Sequence, residues 1–267
     1  MTAISVFSTF TNKHDMETLK FKNLENVYML SDSQLSLYDG TNFRNFENQQ
    51  KIFYDKNASV IMGVAGMYDI GKKIIRNSLN AISISSAILN AQSIDAKIDE
   101  IANIVALQTI LFHTNNFKFS TTIVCNTVCN KIFATVKFFI PAGTNNVTKV
   151  DYDIMEKIAV TSDGMDGKPF EKFVLKSEGK LDIYLTPATK HFTLFLDFLN
   201  SNLPFCSGPP CQGVVLSFEG QIKELSIKHR DGKFYKMGIL HEYREILKYE
   251  IDYRDEGFQF LSASKIK

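Results

Sequence analysis

Thr2 is the residue whose chemistry stands out first. Once Met1 is removed it carries a hydroxyl and a free α-amine on one residue. A hydroxyl is a weak nucleophile and needs a base within hydrogen-bond reach. An α-amine, with a reference pKa of about 7.7–8.0, can serve near neutral pH, whereas a buried lysine base needs strong tuning. Small second residues such as threonine generally permit methionine removal, so attack of Thr2 Oγ on a carbonyl is one chemistry the sequence offers.

Other constellations offer less. Gly66-Met67-Tyr68-Asp69-Ile70-Gly71-Lys72-Lys73 nearly spells the phosphate loop G-x-x-x-x-G-K-[ST], but Lys73 stands where a hydroxyl should hold Mg²⁺. The strand before it also reads as half of a hairpin. Cys125, Cys129, Cys206 and Cys211 form two loose pairs. Cys125 and Cys129 fall on an apparent strand from Thr121, where residues four apart lie ~13 Å apart, too far to share a metal. Reduced thiols are expected. The five histidines, His14, His113, His191, His229 and His241, show no His-Glu-x-x-His pattern, so no zinc hydrolase is indicated. No G-x-S-x-G elbow marks a serine triad. A net charge of +1 without a long Lys/Arg run argues against nucleic acid, because counterion-release binding needs a basic face.

The elements that must position Thr2 begin with strands. Ala3-Ile4-Ser5-Val6-Phe7 alternates, Asn26 to Leu30 follows and runs into Ser31-Asp32-Ser33, and Lys51 to Tyr54 with Ser59 to Gly66 makes a hairpin. Helical spacing takes over at Ile70, with Ile74, Ile75 and Leu79. A second helix starts behind Ser93, an N-cap candidate, with Ile94, Ile98, Ile101, Val105 and Ile110 on one stripe. Strands return from Phe117 to Cys125, from Lys131 to Ile140 and from Lys157 to Val160. A helix spans Ala188 to Leu199. Val214 to Phe218 and Ile222 to Lys228 flank the turn Glu219-Gly220 as a further hairpin. Strands on both sides of a helical pair do not follow a βαβ rhythm. They fit an α+β protein built as a four-layer αββα sandwich, with residues 1–231 as one domain and residues 232–267 as a C-terminal extension packed on it. Residues Thr2 to Phe10 lack a basic region before an apolar run, and no stretch approaches a membrane span, so a cytoplasmic protein is expected.

The order of these segments resembles the proteasome β-type, HslV-like family of N-terminal-nucleophile hydrolases. Those proteins open with Thr on a strand, carry an Asp at the end of the second strand, then a Lys opening a strand, then a Gly-x-Ala-Gly turn into the first helix. Here the corresponding residues are Thr2-Ala3-Ile4-Ser5-Val6, Ser31-Asp32-Ser33-Gln34, Lys51 and Gly63-Val64-Ala65-Gly66. Asp32 lies farther from Thr2 than in the family, which implies an insertion around Lys13 to Lys22. The resemblance implies that Thr2 is the nucleophile, that Lys51 lowers its pKa and that Asp32 fixes Lys51. It implies Gly63 as the oxyanion donor, Ser162 (in Ile158-Ala159-Val160-Thr161-Ser162-Asp163-Gly164) as the residue ordering the amine, and Ser33 and Gly66 as substrate-binding positions. Cys206-Ser207-Gly208 resembles a Ser/Thr-Gly-Gly turn of the family, but Pro204 stands where many members carry an Asp. The implied activity is a threonine peptidase acting on peptides or proteins without metal or organic cofactor. Its implied partners are copies of itself in a homo-oligomeric ring and an ATPase. The other reading left open is a catalytically inactive ring or scaffold subunit of the same fold.

Overall fold

The computed structural model describes residues 3–10, 24–38, 43–46, 48–112, 119–152, 161–163, 167–177, 187–201, 207–229, 232–242, 251–255, 259 and 261. Thr2, the expected insertion at Lys13 to Lys22, the expected strand at Lys157 to Val160, and Pro204 and Cys206 lie outside them.

Alternation decides how the first strands pack. In β1 (Ile4–Phe10), Ile4 and Val6 face one way, and Ala3 and Phe7 the other. β1 pairs antiparallel with β2 (Leu24–Asp32), so that Ile4 lies opposite Ser31. A two-stranded ribbon, β3 (Leu35–Tyr38) and β4 (Phe43–Phe46), lies between Asp32 and Lys51. It went unread in the sequence. β5 (Ile52–Asp55) and β6 (Val60–Gly66) form the expected hairpin. Helix α1 (Tyr68–Ile82) then buries Ile74, Ile75 and Leu79 on one face, and the short α2 (Ser86–Leu89) follows. Helix α3 (Ile94–Phe112) starts where Ser93 Oγ accepts the Ala96 amide at 3.2 Å, an N-cap bond. Its buried face carries Ile98, Ile101 and Val105. Ile110 is 58% exposed, a correction to the expected stripe: at 100° per residue, position 110 has turned off the face set by Ile98 and Val105.

β7 (Thr121–Cys129) and β8 (Ile132–Ile140) form a second hairpin, turned at Asn130 and Lys131, both at positive φ. The strand therefore runs through Cys129, past the expected end at Cys125. β9 (Thr148–Tyr152) completes a five-stranded antiparallel sheet ordered β5-β6-β7-β8-β9. The remaining elements are β10 (Thr161–Asp163), α4 (Gly167–Ser177), α5 (Pro187–Leu199), β11 (Cys211–Ser217), β12 (Ile222–Lys228), β13 (Phe234–Lys236), β14 (Ile239–His241) and β15 (Ile251–Asp255). They build an eight-stranded sheet, β10-β1-β2-β11-β12-β13-β14, with β15 parallel to β12 and the other pairs antiparallel.

The chain is thus a mixed α/β protein with two large, mainly antiparallel sheets and five helices among the described residues. Three large apolar clusters organise it, beside a small fourth of Phe234, Ile251, Tyr253 and Leu261. One joins α1, α2 and α3 to the five-stranded sheet through Ile74, Ile101, Val105, Ile123 and Phe138. A second joins α4 and α5 to the eight-stranded sheet through Phe170, Phe192, Phe195, Phe7 and Tyr28. The third draws on both sheets, with Ile4, Val6 and Met29 from one and Ile52, Ile61 and Val124 from the other.

Candidate functional site

Strand ends converge at one place. β1 begins, β2 ends at Asp32, and β11 begins with Cys211 opposite Asp32. Lys51 lies immediately before β5. Asp32 and Lys51 are both completely buried, and Lys51 Nζ meets Asp32 Oδ2 at 2.7 Å. Lys51 Nζ also donates to the carbonyl of Gln34. Asp32 takes two backbone amides as well: Oδ1 accepts from Ala3 N at 3.1 Å and Oδ2 from Gln34 N at 3.1 Å. Burial pushes the Asp32 carboxyl above its ordinary range, opposed by the charge and hydrogen bond of Lys51 and by the Ala3 amide. The anion therefore depends on protein donors in place of water. Ala3 is the residue that follows Thr2.

The glycines of the Gly63-Val64-Ala65-Gly66 run divide into two roles. In an antiparallel ladder, the N–H and C=O of one residue point to the same edge, and successive residues alternate. Val64 N donates to Lys51 O at 3.0 Å, so Val64 faces β5. Gly63 then faces β7, where it pairs with Val124, and its amide lies within the sheet. Its missing side chain serves packing: a Cβ at Gly63 would sit 2.8 Å from Met29 Sδ and 3.2 Å from Ile4 Cδ1 of the other sheet. The amide on the β5 edge, past the start of β5, is that of Gly66. Gly66 has φ +90°, and a Cβ there would collide with Ser120 O, so only glycine suits the turn into α1.

Ser33 and Ser162 are placed less simply. Ser33 is fully buried, and its hydroxyl contacts the side-chain amide of Gln212 at 3.0 Å. The β13–β14 turn, with Met237 and Gly238 at positive φ, closes over it, and a Cβ on Gly238 would strike Ser33 Oγ. Ser162 pairs with Ser5 in the β1–β10 register, and Ser5 comes three residues after Thr2 in the sequence. The phosphate-loop likeness has no matching frame, because α1 begins at Tyr68 and encloses Gly71-Lys72-Lys73, and β6 is antiparallel to both neighbours. Among the described residues, no three His, Cys, Asp or Glu side chains gather to hold a metal ion, and no helix is long and apolar enough to cross a membrane.

Two buried residues escaped the sequence reading. Gln212 is fully buried at the start of β11. Its Oε1 accepts the amides of Lys51 (2.9 Å) and Ile52 (3.2 Å). Its Nε2 points at Asp32 O (2.9 Å), Ser33 Oγ (3.0 Å) and Gln49 O (2.9 Å). No motif flags a lone glutamine. His191, on α5, bonds Ser5 Oγ through Nε2 at 2.6 Å between the rings of Phe7 and Phe170. Burial pushes its pKa down to about 3, so the ring is a neutral core histidine near pH 7.

No family model and no curated protein matches the chain. Solved structures do: a Gly-1 mutant of Anbu from Hyphomicrobium sp. strain MC1 is similar over 93% of this chain and 91% of that one, with TM-score 0.53 and 12% identity. This corrects the proteasome β-type, HslV-like family assignment expected from the motifs. At that identity the likeness is one of fold, and it is to Anbu.

Proposed function

We propose that this chain is an N-terminal threonine hydrolase acting on peptide amides through Thr2 after removal of Met1. The observation that carries the reading is the buried Lys51–Asp32 pair bonded to the amide of Ala3. Covalent geometry holds Thr2 within one peptide unit of that amide, so an ammonium and its carboxylate lie close to the proposed nucleophile. Thr2 Oγ attacks the amide carbonyl, and its proton passes through water to the α-amine, then to the leaving amine. An acyl ester remains on Thr2, and water cleaves it. Lys51 favours the ionised oxygen electrostatically and Asp32 fixes Lys51. The Gly66 amide, two residues past Val64 on the β5 side of β6, supplies the oxyanion donor in place of Gly63. Ser162 supports the strand that carries Thr2.

The distant similarity to Anbu is one of fold and is compatible with this reading. A homo-oligomeric ring is proposed as the working assembly. The four-layer αββα arrangement belongs to this proposal, supported by one cluster under each helix set and one shared by both sheets.

The test begins with the intact mass of purified protein, which reports loss of Met1. Thr2→Ala then abolishes turnover of fluorogenic peptides and labelling by threonine-directed electrophiles. Equal labelling of Thr2→Ala and the parent would reject Thr2 as nucleophile. Processed protein that is never labelled would point instead to an inactive scaffold.

A further inference from the structure

We infer that Gln212 is the positioning residue that sets the Lys51–Asp32 geometry, by clamping the two chain segments that carry those side chains. The inference deepens the reading of the Thr2 site and rests on it for its catalytic consequence.

Lys51 and Asp32 reach each other from separate parts of the chain: Asp32 ends a strand of the eight-stranded sheet, and Lys51 leads into the edge strand of the five-stranded one. Among the described residues, strand pairing does not fix that distance, because no backbone ladder there joins the two sheets. Gln212 bridges them. One side-chain oxygen holds the amides of Lys51 and Ile52, while the nitrogen of the same group addresses the carbonyls of Asp32 and Gln49 and the hydroxyl of Ser33. The partners fix the amide orientation: two N–H donors require the oxygen, and two carbonyls require the NH₂. Gln49 N donates in turn to Ser33 O at 2.8 Å, which closes the bridge with one backbone bond. A planar amide with these contacts on both ends cannot shift without losing several at once. It thus transmits the position of one backbone to the other.

An apolar residue of similar length would fill the space and leave both backbones without their tie. Glutamate would turn an acceptor toward the Asp32 and Gln49 carbonyls. The clamp therefore predicts an effect on the ion pair itself, beyond any loss of stability.

The direct readout is the Asp32 carboxyl titration, followed by side-chain ¹³C NMR in the parent, in Gln212→Met, and in Val214→Ala as a control. Val214 lies on the same strand and face but touches neither segment by a side-chain hydrogen bond. In Gln212→Met the Asp32 midpoint rises by about one pH unit or more as Lys51 loosens, whereas Val214→Ala lowers the melting temperature and leaves the midpoint in place. An unchanged or lowered midpoint in folded Gln212→Met would overturn the inference. Should Gln212→Met fail to fold, Gln212→Asn, one methylene shorter, gives the same readout with the same two outcomes. Labelling of Thr2 by an electrophile is measured alongside: failure of Thr2→Ala to abolish it sinks the hydrolase reading, and the Asp32 titration still decides the role of Gln212.

Discussion

Acidification tests the burial of His191 without reference to any activity. The ring lies between Phe7 and Phe170, with Ser5 Oγ as its hydrogen-bond partner, and its pKa falls from an ordinary 6.5 to about 3. Below pH 6.5 the unfolded chain takes up a proton at this position and the folded chain does not. The folded state is then disfavoured, so stability fully present above pH 6.5 is lost as pH falls toward 3. The slope is about 1.4 kcal/mol per pH unit for one proton. Between pH 6.5 and 4.5 this amounts to roughly 2.3 kcal/mol, a large part of the 5–15 kcal/mol that holds a typical domain together. The assay is urea unfolding at several pH values for the parent and for His191→Gln. The variant keeps a polar group near Ser5 and cannot titrate, and whatever fixed cost it carries cancels when slopes are compared. The parent curve should steepen relative to the variant by about 1.4 kcal/mol per unit across this window. Parallel curves would refute the reasoning, because they would mean that the folded interior accepts the imidazolium.

Gly63→Ala should cost about 1–2 kcal/mol by forcing a methyl against Met29 and Ile4, and thermal unfolding reads it as a drop of a few degrees; Thr2 labelling per folded molecule should stay near parental, whereas collapse of labelling without loss of stability would restore Gly63 as an oxyanion donor. Lys51→Met leaves the Asp32 carboxyl buried without its ion partner and should cost about 3–5 kcal/mol. The double change Lys51→Met with Asp32→Leu should recover much of that stability in chemical denaturation, and no recovery would mean the pair itself carries the fold.

How much was legible in the sequence depended on whether a signal was local. The β5–β6 and β11–β12 hairpins, α1 and the Ser93 cap follow from short-range periodicity and turn chemistry, and they could be read. The β3–β4 ribbon was missed because Phe43-Arg44-Asn45-Phe46 breaks the apolar–polar alternation that marks a strand. α4 was missed because Gly167 and Pro169 open it and read as a loop. Asp32 and Lys51 stood out by type and order. Gln212 did not: its bonds reach 160 to 180 residues along the chain, and no spacing rule registers such a contact. The direction of the Gly63 amide was not legible either, because it follows only from the register with Val124.

The position of the Lys51–Asp32 pair argues more than its existence. Removing two charges from water costs several kcal/mol, and apolar side chains of similar volume often serve stability as well or better. The apolar cluster shared by the two sheets is built mainly of isoleucine, valine, leucine and methionine, so material for that alternative is at hand. If stability were the reason, the pair could sit anywhere along these strands. It sits instead at their ends, where the amide of Ala3 completes the coordination of Asp32 and a neutral glutamine ties the two supporting segments together. A stable double variant that no longer reacts at Thr2 would separate the two explanations: its fold would owe nothing to the charges, and its lost reactivity would show what they are for.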